Sequence, residues 1–279
     1  MPGTLPLVLP LHAAEDESRF GAKAVSLGRA LRSGLPVPDG LALSAELVDR
    51  VAAGEPEAHA LLDTALEDFG PFRLAVRSSA VGEDSADASF AGQHETRLNI
   101  TRRHLAVAVR GVHASAHTEA ALGYRAKHGL PLEPQIGVVV QQMVEPVAAG
   151  VLFTRNPMTG ADEVVIEAAW GLGEAVVSGI VTPDHFTLTR SGALVGFTPG
   201  LKDLKVWYAG EDTDGTIELP VPDDLQQAPC LTAAQLQALH GLAARCQAAW
   251  GDALDLEWAV GHGEQVYLLQ CQPITTVRA

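Results

Sequence analysis

The stretch of the chain with the clearest chemical potential is residues 74–100, LAVRSSAVGEDSADASFAGQHETRLNI. An apolar run enters a predicted strand, and Arg77, Ser78 and Ser79 follow it. Arginine offers a fixed fork of donors that suits phosphate oxygens, and two hydroxyls add further donors. The acidic, small-residue segment 82–92 predicts an exposed flap that can close over a ligand. The alternative interpretation is an ordinary surface loop that carries a salt-bridged Arg77.

A second group of candidate residues lies near the end of the sequence. The alternation in LDLEWAV places Asp255 and Glu257 on one face of a strand and apolar side chains on the other. The GHGE turn predicts a hairpin that pairs Val260 with Gln265 and Asp255 with Gln270. Asp255, Glu257 and Gln270 then share a face and offer hard oxygen ligands for Mg²⁺. The alternatives are a solvated hairpin face, or a one-residue slip that removes Gln270 from the site.

Two glycine-headed segments are further candidates for anion binding. Gly21 leads GAKAVSLGRAL, in which apolar residues have helical spacing and Lys23 lies in the first turn. The alternative is a solvated lysine on an amphipathic helix. The segment 171–178, GLGEAVVS, is similar to a glycine turn that enters a helix, with Glu174 at its start. Its N–H groups could face phosphate, and close backbone packing is the alternative.

The elements that must position these residues follow from periodicity. An apolar β-branched run predicts a buried strand at 135–144, with a hinge at Gln141 to Glu145. The other predictions are an N-terminal edge strand, a turn at 34–40, a helix from Ala45 to Phe69 broken at 54–56, a helical segment from Arg102 to His128, and strands at 151–154 and 164–168.

Composition limits the classes of protein to which the chain can belong. At 279 residues and 47% apolar content it can bury a full core in one large or two small domains. Nineteen basic against 34 acidic residues give a net charge of −15, which disfavours nucleic acid or an anionic membrane as partner. Three cysteines without a CxxC pattern suggest neither disulfides nor zinc, and fit a reducing cytoplasm. No apolar window reaches the ~20 residues of a membrane helix.

Several motifs in order along the chain carry a family resemblance. They are GAKAVSLG, VPDG, AVRSSA followed by DxSFAGQxxTxLN, QQMV, GVLFTRNPMTG, AAWGLGEAVVSGIVTPDHF and LDLEWA. Together they resemble the N-terminal ATP-binding domain of phosphoenolpyruvate synthase, pyruvate phosphate dikinase and rifampicin phosphotransferase. The resemblance covers nearly the whole chain, and it implies an α+β ATP-grasp fold with the nucleotide between two lobes, at 1–142 and 143–279.

The same resemblance implies roles for individual residues. Lys23 and Arg77 would hold the phosphates of ATP as the catalytic pair, and Gln142 and Met143 would read the adenine edge, mainly through main-chain groups. Glu174, Glu257 and Gln270 would complete the nucleotide site, and Asp255, Glu257 and Gln270 would hold Mg²⁺. His113 and His117, one helical turn apart, could share a metal, but aromatic core residues at the matching positions favour packing inside.

The chain also departs from the family pattern. Gln272 stands where the tail motif usually has arginine, and Ala120 occupies a second arginine position in ASAHTEAALGYR. Both arginines are associated in the family with phosphates and transfer, so their loss should weaken transfer more than nucleotide binding. Arg125 or Arg155 are possible substitutes. None of the ten histidines lies in a segment that resembles the phosphohistidine motif, and no segment long enough for the pyruvate-binding barrel follows.

Two functions therefore stay open at this point. The first is an ATP-dependent kinase module of the pyruvate, water dikinase type, which passes a phosphoryl group to a histidine on a partner domain supplied in trans. The second is a non-catalytic nucleotide-binding module that has lost turnover with the two arginines. An excised domain of a longer enzyme is a third reading, compatible with either.

Overall fold

The computed structural model describes residues 6–70, 72–81, 95–127, 129 and 131–274, and the predicted flap 82–92 lies outside them. The chain forms two compact units. Unit 1 comprises Met1–Arg32, Asp39–Met143 and Ala209–Gly215, and unit 2 comprises Ser33–Pro38, Val144–Tyr208 and Thr216–Ala279. In the described part of the chain, no helix is both long and apolar enough to cross a membrane.

Unit 1 is built on a five-stranded sheet whose neighbouring strands are antiparallel, in the order β1-β2-β5-β3-β4. Its strands are β1 (Val8–Pro10), β2 (Gly40–Leu43), β3 (Leu74–Ala80), β4 (Thr96–Ile100) and β5 (Ile136–Gln142). Its helices are α1 (Glu17–Phe20), α2 (Ala22–Arg32), α3 (Ala45–Ala52), α4 (Pro56–Ala65), α5 (Leu105–Ala116) and α6 (Glu119–Lys127). The predicted edge strand is β1, and the predicted helix break separates α3 from α4.

The two faces of this sheet differ because side chains alternate along each strand. Leu74 and Val76 of β3 and Val138 of β5 join the apolar core, together with buried residues of α3, α4 and α5. The opposite face packs against α1 and α2, where the backbone of Gly137 approaches that of Phe20 so closely that a Cβ would lie 2.4 Å from the Phe20 carbonyl oxygen. Arg77 belongs to this second face.

Unit 2 contains a six-stranded antiparallel sheet in the order β13-β12-β6-β7-β8-β9 and a separate two-stranded hairpin. The sheet strands are β6 (Pro146–Phe153), β7 (Glu163–Trp170), β8 (Asp184–Thr189), β9 (Leu194–Thr198), β12 (Leu254–Gly261) and β13 (Val266–Pro273). The hairpin is β10 (Leu204–Tyr208) with β11 (Thr216–Pro220), and the helices are α7 (Glu174–Val177) and α8 (Ala233–Trp250).

Helix α8 covers the apolar face of this sheet at β12 and β13. It begins with a capping box, in which Thr232 and Gln235 satisfy each other's backbone N–H groups, and its buried stripe includes Leu239 and Leu242. Leu256 and Trp258 of β12 are completely buried. Residues 255 and 257 therefore point to the opposite face, as the alternation predicted.

The central helical segment differs from its prediction at the two histidines. The helix breaks between α5 and α6, and His117 at this break is exposed, so the expectation that both histidines pack inside is wrong for His117. His113 is partly buried, stacks on His117 at 4.3 Å between ring centroids, and lies 3.1 Å from Asp49. Burial, followed by the neighbouring His117, lowers the pKa of His113.

Candidate functional site

Lys23 and Arg77 belong to two elements that meet on one face of the unit 1 sheet. Arg77 and Ser79 point to the same side of β3, because they are two residues apart. The Ser79 hydroxyl accepts a 3.0 Å hydrogen bond from the Ala24 N–H in the first turn of α2. Lys23 directly precedes Ala24, so its backbone lies next to the sheet face that carries Arg77. The Arg77 side chain is only 7% exposed. Cationic side chains and the N-terminus of a helix are groups that bind phosphate, so the role of Lys23 and Arg77 in phosphate binding stays a prediction.

Gly21 is the residue that permits this contact between α2 and β3. Its φ angle is +79°, and a Cβ at this position would lie 1.9 Å from the Ser79 carbonyl oxygen. Both the left-handed conformation and the close approach require glycine. The glycine at the head of α2 thus brings the first turn of the helix onto the strand that carries Arg77.

Gln142 and Met143 lie at the end of the unit 1 sheet that is opposite to Ser79 and the first turn of α2. The Gln142 N–H donates to the Asp39 carbonyl and the Met143 N–H donates to the Arg73 carbonyl, each at 2.9 Å. Because both N–H groups donate within the protein, the predicted adenine contacts of Gln142 and Met143 would have to come from their carbonyl groups or side chains. Arg77 pairs with Val139, four residues before Met143. At ~3.3 Å per residue the separation is about 13 Å, which an extended nucleoside triphosphate can bridge.

The β12–β13 hairpin of unit 2 carries four polar side chains on one face. The predicted register is wrong, because Val260 pairs with Val266, Glu257 with Gln270 and Asp255 with Gln272. A bulge between Glu257 and Trp258 adds Leu269 as an extra residue in β13. Since directly opposed residues share a face, Asp255, Glu257 and Gln270 still lie on one side of the sheet, and Gln272 joins them.

Asp255 has the most distinctive environment on this polar face. Its Oδ2 accepts a 3.1 Å hydrogen bond from the Gln272 amide, whereas its Oδ1 is enclosed and has no hydrogen-bond partner among the described residues. Burial raises the pKa of Asp255 to about 6 and Glu257 adds to the shift, although the Gln272 amide opposes it. A buried carboxylate oxygen with no donor is suited to a cation.

The residues present fit a magnesium ion by their chemistry. Two carboxylates and an amide carbonyl are hard oxygen donors, and Mg²⁺ keeps several waters and binds phosphate oxygens in addition. Among the described residues no group of three or more His, Cys, Asp or Glu is arranged to hold a metal. Waters or phosphate oxygens would have to complete the coordination of a magnesium ion held by these three side chains.

The glycine turn before α7 is a weaker candidate for phosphate binding. The N–H groups of Gly171 and Leu172 donate to the carbonyls of Val147 and Val206, at 3.1 and 3.0 Å. Helix α7 has only four residues, and a Cβ on Gly171 would lie 2.6 Å from the Val206 carbonyl oxygen. Close backbone packing accounts for this glycine. The Glu174 carboxylate accepts a 3.0 Å hydrogen bond from the Thr216 hydroxyl.

The two arginines considered as substitutes are engaged in other contacts. Arg125 is 8% exposed, and its Nε donates to the Pro131 carbonyl at 2.6 Å. Arg155 donates to the Gly160 carbonyl at 3.0 Å and to the Asp252 carboxylate at 2.9 Å. These contacts stabilise local structure, and they give no support to a role for either arginine in transfer.

A match to a protein-family model shows the family to which the chain belongs. The family model described as pyruvate phosphate dikinase, AMP/ATP-binding domain, matches residues 55–279. The chain belongs to this family. The resemblance predicted from the AVRSSA, GLGEAVVSG and LDLEWA motifs is thereby confirmed, and the AMP/ATP-binding description extends to most of the chain.

Three curated relatives illustrate the range of the family. An uncharacterized phosphotransferase, YvkC, of Bacillus subtilis is 34% identical over 294 residues, covering 97% of this chain and 35% of the relative. A probable phosphoenolpyruvate synthase of Methanothermobacter thermautotrophicus is 42% identical and covers 73% of this chain and 30% of the relative. A rifampicin phosphotransferase of Streptomyces sviceus is 39% identical, with coverages of 84% and 27%. The chain thus spans about a third of the length of these relatives.

The solved structures to which the chain is similar include D-alanyl-alanine synthetase A from Vibrio cholerae, 14% identical, with a TM-score of 0.40 over 94% of this chain and 58% of that one. Another is described as the ATP-grasp ligase PsnB, 9% identical, with a TM-score of 0.33 over 92% and 53%. Because these scores are below 0.5, the family assignment rests on the sequence matches. The mixed helices and sheets of both units confirm the predicted α+β class.

Two polar clusters were not predicted from the sequence. In unit 2, the Lys202 ammonium and the Asp184 carboxylate form a completely buried pair at 2.5 Å, and Asp184 also accepts from the N–H groups of Gly200 and Cys230. In unit 1, Asn99 holds the loop 209–215. Asp184 lies in the TPDHF motif and Asn99 in the TxLN motif, and both motifs carried the family resemblance. Their position in these motifs is the only sequence feature that could have pointed to the two residues.

Proposed function

We propose that the chain is an ATP-dependent phosphotransferase module, of the pyruvate, water dikinase type, that passes a phosphoryl group from Mg-ATP to a histidine on a separate partner domain. The observation that carries the proposal is the polar face of β12–β13, where the enclosed Oδ1 of Asp255, beside Glu257 and Gln270, receives no hydrogen bond from any residue that the structure describes. The family assignment supports ATP as the ligand. An ATP-grasp arrangement, with the nucleotide between lobes 1–142 and 143–279 in a reducing cytoplasm, is part of the proposal.

Each residue has a proposed task in this reaction. Lys23 and Arg77 hold and orient the phosphates, and they stabilise the charge that develops on the transferring group. Gln142 and Met143 contact the adenine, and Glu174 contributes to the nucleotide site. Asp255, Glu257 and Gln270 would hold Mg²⁺. When bound, this ion neutralises phosphate charge and orients the oxygens of the triphosphate.

The transfer step needs no nucleophile from this chain. A histidine ring nitrogen of the partner attacks the β-phosphorus, the new P–N bond forms as the P–O bond to AMP breaks, and the electron pair leaves on the AMP oxygen. Water then supplies the hydroxyl group that releases the γ-phosphate as inorganic phosphate and leaves one phosphoryl group on the histidine. The work of the chain is to align the attacking nitrogen, the phosphorus and the leaving oxygen. The match covers about a third of the length of these relatives, so most of each relative lies outside it, which supports a separate domain as acceptor.

A second candidate function is a nucleotide-binding module without turnover. Position 272 directly opposes Asp255, and here an amide stands where the family usually has arginine. Ala120, at the second such position, is exposed near the start of α6. A single well-placed arginine contributes roughly 10³-fold or more to phosphoryl transfer in several enzymes. Binding without transfer is the outcome expected if nothing replaces these two groups.

The first experiment is calorimetric titration of ATP into the protein with and without Mg²⁺, followed by assay of the same sample for AMP, ADP and phosphate with and without a phosphohistidine-domain protein. The proposal expects Mg²⁺-dependent binding, and turnover that rises when the partner is added. Binding without turnover favours the second candidate, and an absence of binding contradicts both.

Restoring the arginines separates the two candidates further. The double variant Ala120→Arg/Gln272→Arg should raise turnover by tenfold or more, that is, by at least about 1.4 kcal/mol of transition-state stabilisation. The matched control Ala114→Arg adds charge to an exposed position of α5 and should leave turnover unchanged. Equal activity of the parent and the double variant would show that these positions do not limit transfer.

A further inference from the structure

The loop that joins β10 to β11, residues 209–215, is held by a ring of polar groups within unit 1. The Arg73 guanidinium donates to the carbonyls of Gly210 and Glu211, the first at 2.6 Å. The Asn99 amide donates to the carbonyls of Thr213 and Gly215, at 3.0 and 2.7 Å. Backbone carbonyls along the loop are therefore fixed by side chains that lie more than a hundred positions earlier in the chain.

Asn99 combines several unusual features. It is completely buried, its φ angle is +56°, and its Oδ1 has no hydrogen-bond partner among the described residues. A left-handed non-glycine residue and an enclosed amide oxygen each cost free energy, and such costs concentrate at functional sites. The backbone N–H of Asn99 points at the Met143 sulfur, at a distance of 2.8 Å.

Arg73 connects the same loop to the main chain of Met143. Its carbonyl accepts the Met143 N–H at 2.9 Å, while its guanidinium holds the loop. Met143 is thus fixed twice, through its backbone by Arg73 and through its side chain by Asn99. Both residues that fix it are also the residues that bind the loop.

Asp214 adds a charged contact to this ring. Its carboxylate accepts the Thr101 N–H at 2.9 Å, contacts the His104 Nδ1 and lies 3.6 Å from the Arg73 guanidinium. Burial opposes ionisation, but the Thr101 and His104 hydrogen bonds outweigh it and hold the pKa of Asp214 below its usual range. The loop is therefore attached at both of its ends.

We propose that the loop 209–215, seated by Arg73, Asn99 and Asp214, is a positioning element that fixes Met143 for recognition of the nucleotide base. This inference rests on the proposed function, in which Met143 contacts adenine. Arg73, Asn99 and Asp214 act through Met143 and do not themselves touch the nucleotide. Preorganisation of a contact residue lowers the entropy lost on binding, so its loss weakens affinity and selectivity for the base.

The test uses variants that release the loop with little disturbance of the core. Asn99→Gly removes both amide hydrogen bonds and tolerates the positive φ, and Asp214→Asn removes the charge at constant shape. Arg103→Ala is the matched control. Arg103 donates to the Asp212 carbonyl of the same loop at 2.9 Å, but in the described part of the chain it has no hydrogen bond or ion pair with Met143 or Arg73. Hydrogen exchange of residues 209–215 and calorimetric titration of ATP and GTP are measured for each variant.

Asn99→Gly, and the variant that combines it with Asp214→Asn (the double variant of this test), should show faster exchange in the loop. Both should also show an ATP dissociation constant raised about tenfold and a similar fall in the preference for ATP over GTP. If turnover is measurable, KM should rise while kcat stays within about twofold. Arg103→Ala should match the parent in affinity and selectivity.

Two results would overturn the inference. A released loop with parental affinity and selectivity would show that the loop does not position Met143, and a loop that stays protected in the double variant would show that Asn99 and Asp214 do not seat it. A parent chain that binds no ATP would instead contradict the proposed function, which separates the two failures.

Discussion

At the scale of single residues, the environment of Asp255 is the most informative. Its carboxylate lies opposite Gln272, an amide that donates one neutral hydrogen bond, and beside Glu257. An arginine at position 272 would give this carboxylate a cationic partner and would hold its pKa down. With glutamine there, the carboxyl group is buried without a cation, which makes it a costly group in the metal-free protein.

Asp255→Asn should stabilise the metal-free protein at pH 7.5. Because the folded-state pKa is raised from 3.8 to about 6, the folded state holds a proton that the unfolded state releases between these values, and the free energy of unfolding falls as pH rises through this window. The full shift corresponds to an upper bound of about 3 kcal/mol, so a gain of about 1–3 kcal/mol is expected. Urea unfolding at pH 7.5 and pH 4 measures it.

The gain should be absent at pH 4, where the carboxyl group is mostly neutral in the folded state. Asp224→Asn, at an exposed position, is the control and should change stability by less than about 0.5 kcal/mol. The same Asp255→Asn variant should lose its stabilisation by Mg-ATP. A gain of equal size at both pH values would show that burial of the charge is not its cause.

At the scale of elements, the bulge in β13 determines which side chains reach the polar face. If the ladder continued regularly from the Trp258–Leu268 pair, with Leu269 opposite Glu257, Gln270 would lie opposite Leu256 on the buried side of the sheet. With the bulge, Gln270 pairs with Glu257 and Gln272 pairs with Asp255. The composition of the candidate magnesium face therefore depends on a single inserted residue.

Deleting Leu269 should leave the polar face intact, because Gln270 then follows Leu268 and pairs with Glu257 in a regular ladder. Deleting Cys271 is the contrasting variant, since it moves Gln272 opposite Leu256 and buries an amide at a cost of about 1–3 kcal/mol. Thermal unfolding with and without Mg-ATP compares them. The first variant should keep the parental melting temperature and the shift caused by the ligand. The second should unfold at a lower temperature because of the buried amide, and identical behaviour of both would contradict the register.

Sequence patterns predicted the elements better than their contacts. The helix break at Gly54 to Pro56 and the buried strand that became β5 follow from local periodicity and turn chemistry, and both are observed. The β13 bulge interrupts the regular register of the hairpin between Glu257 and Trp258, and side-chain alternation does not encode such an interruption. The Asn99 contact with Thr213 spans 114 positions, and no local pattern reports such a pairing.

At the scale of the whole molecule, the net charge of −15 opposes the approach of a polyanion. The residues proposed to hold phosphate are buried or partly buried cations in unit 1, and their field is local. Repulsion from the molecule as a whole acts over a longer range and is screened by salt. The rate constant for association therefore shows whether the overall negative field or the local field of the cations has the larger effect on nucleotide binding.

We expect the association rate constant for ATP to rise with ionic strength, and to rise more steeply for free ATP, which carries roughly twice the charge of its magnesium complex. Stopped-flow mixing with a fluorescent ATP analogue measures it. The corresponding analogue of uncharged adenosine is the control, and its rate should not respond to salt. A rate that falls with salt would show that the local field of Lys23 and Arg77 dominates.

The two units also differ in the chromophores and thiols that they carry. All four tryptophans and all three cysteines lie in unit 2, and the three thiols are buried. Tryptophan fluorescence and thiol labelling therefore observe the opening of unit 2 alone, whereas circular dichroism observes both units. An unfolding curve followed by fluorescence would be blind to any separate melting of the part of the chain that contains Lys23, Arg77 and Met143.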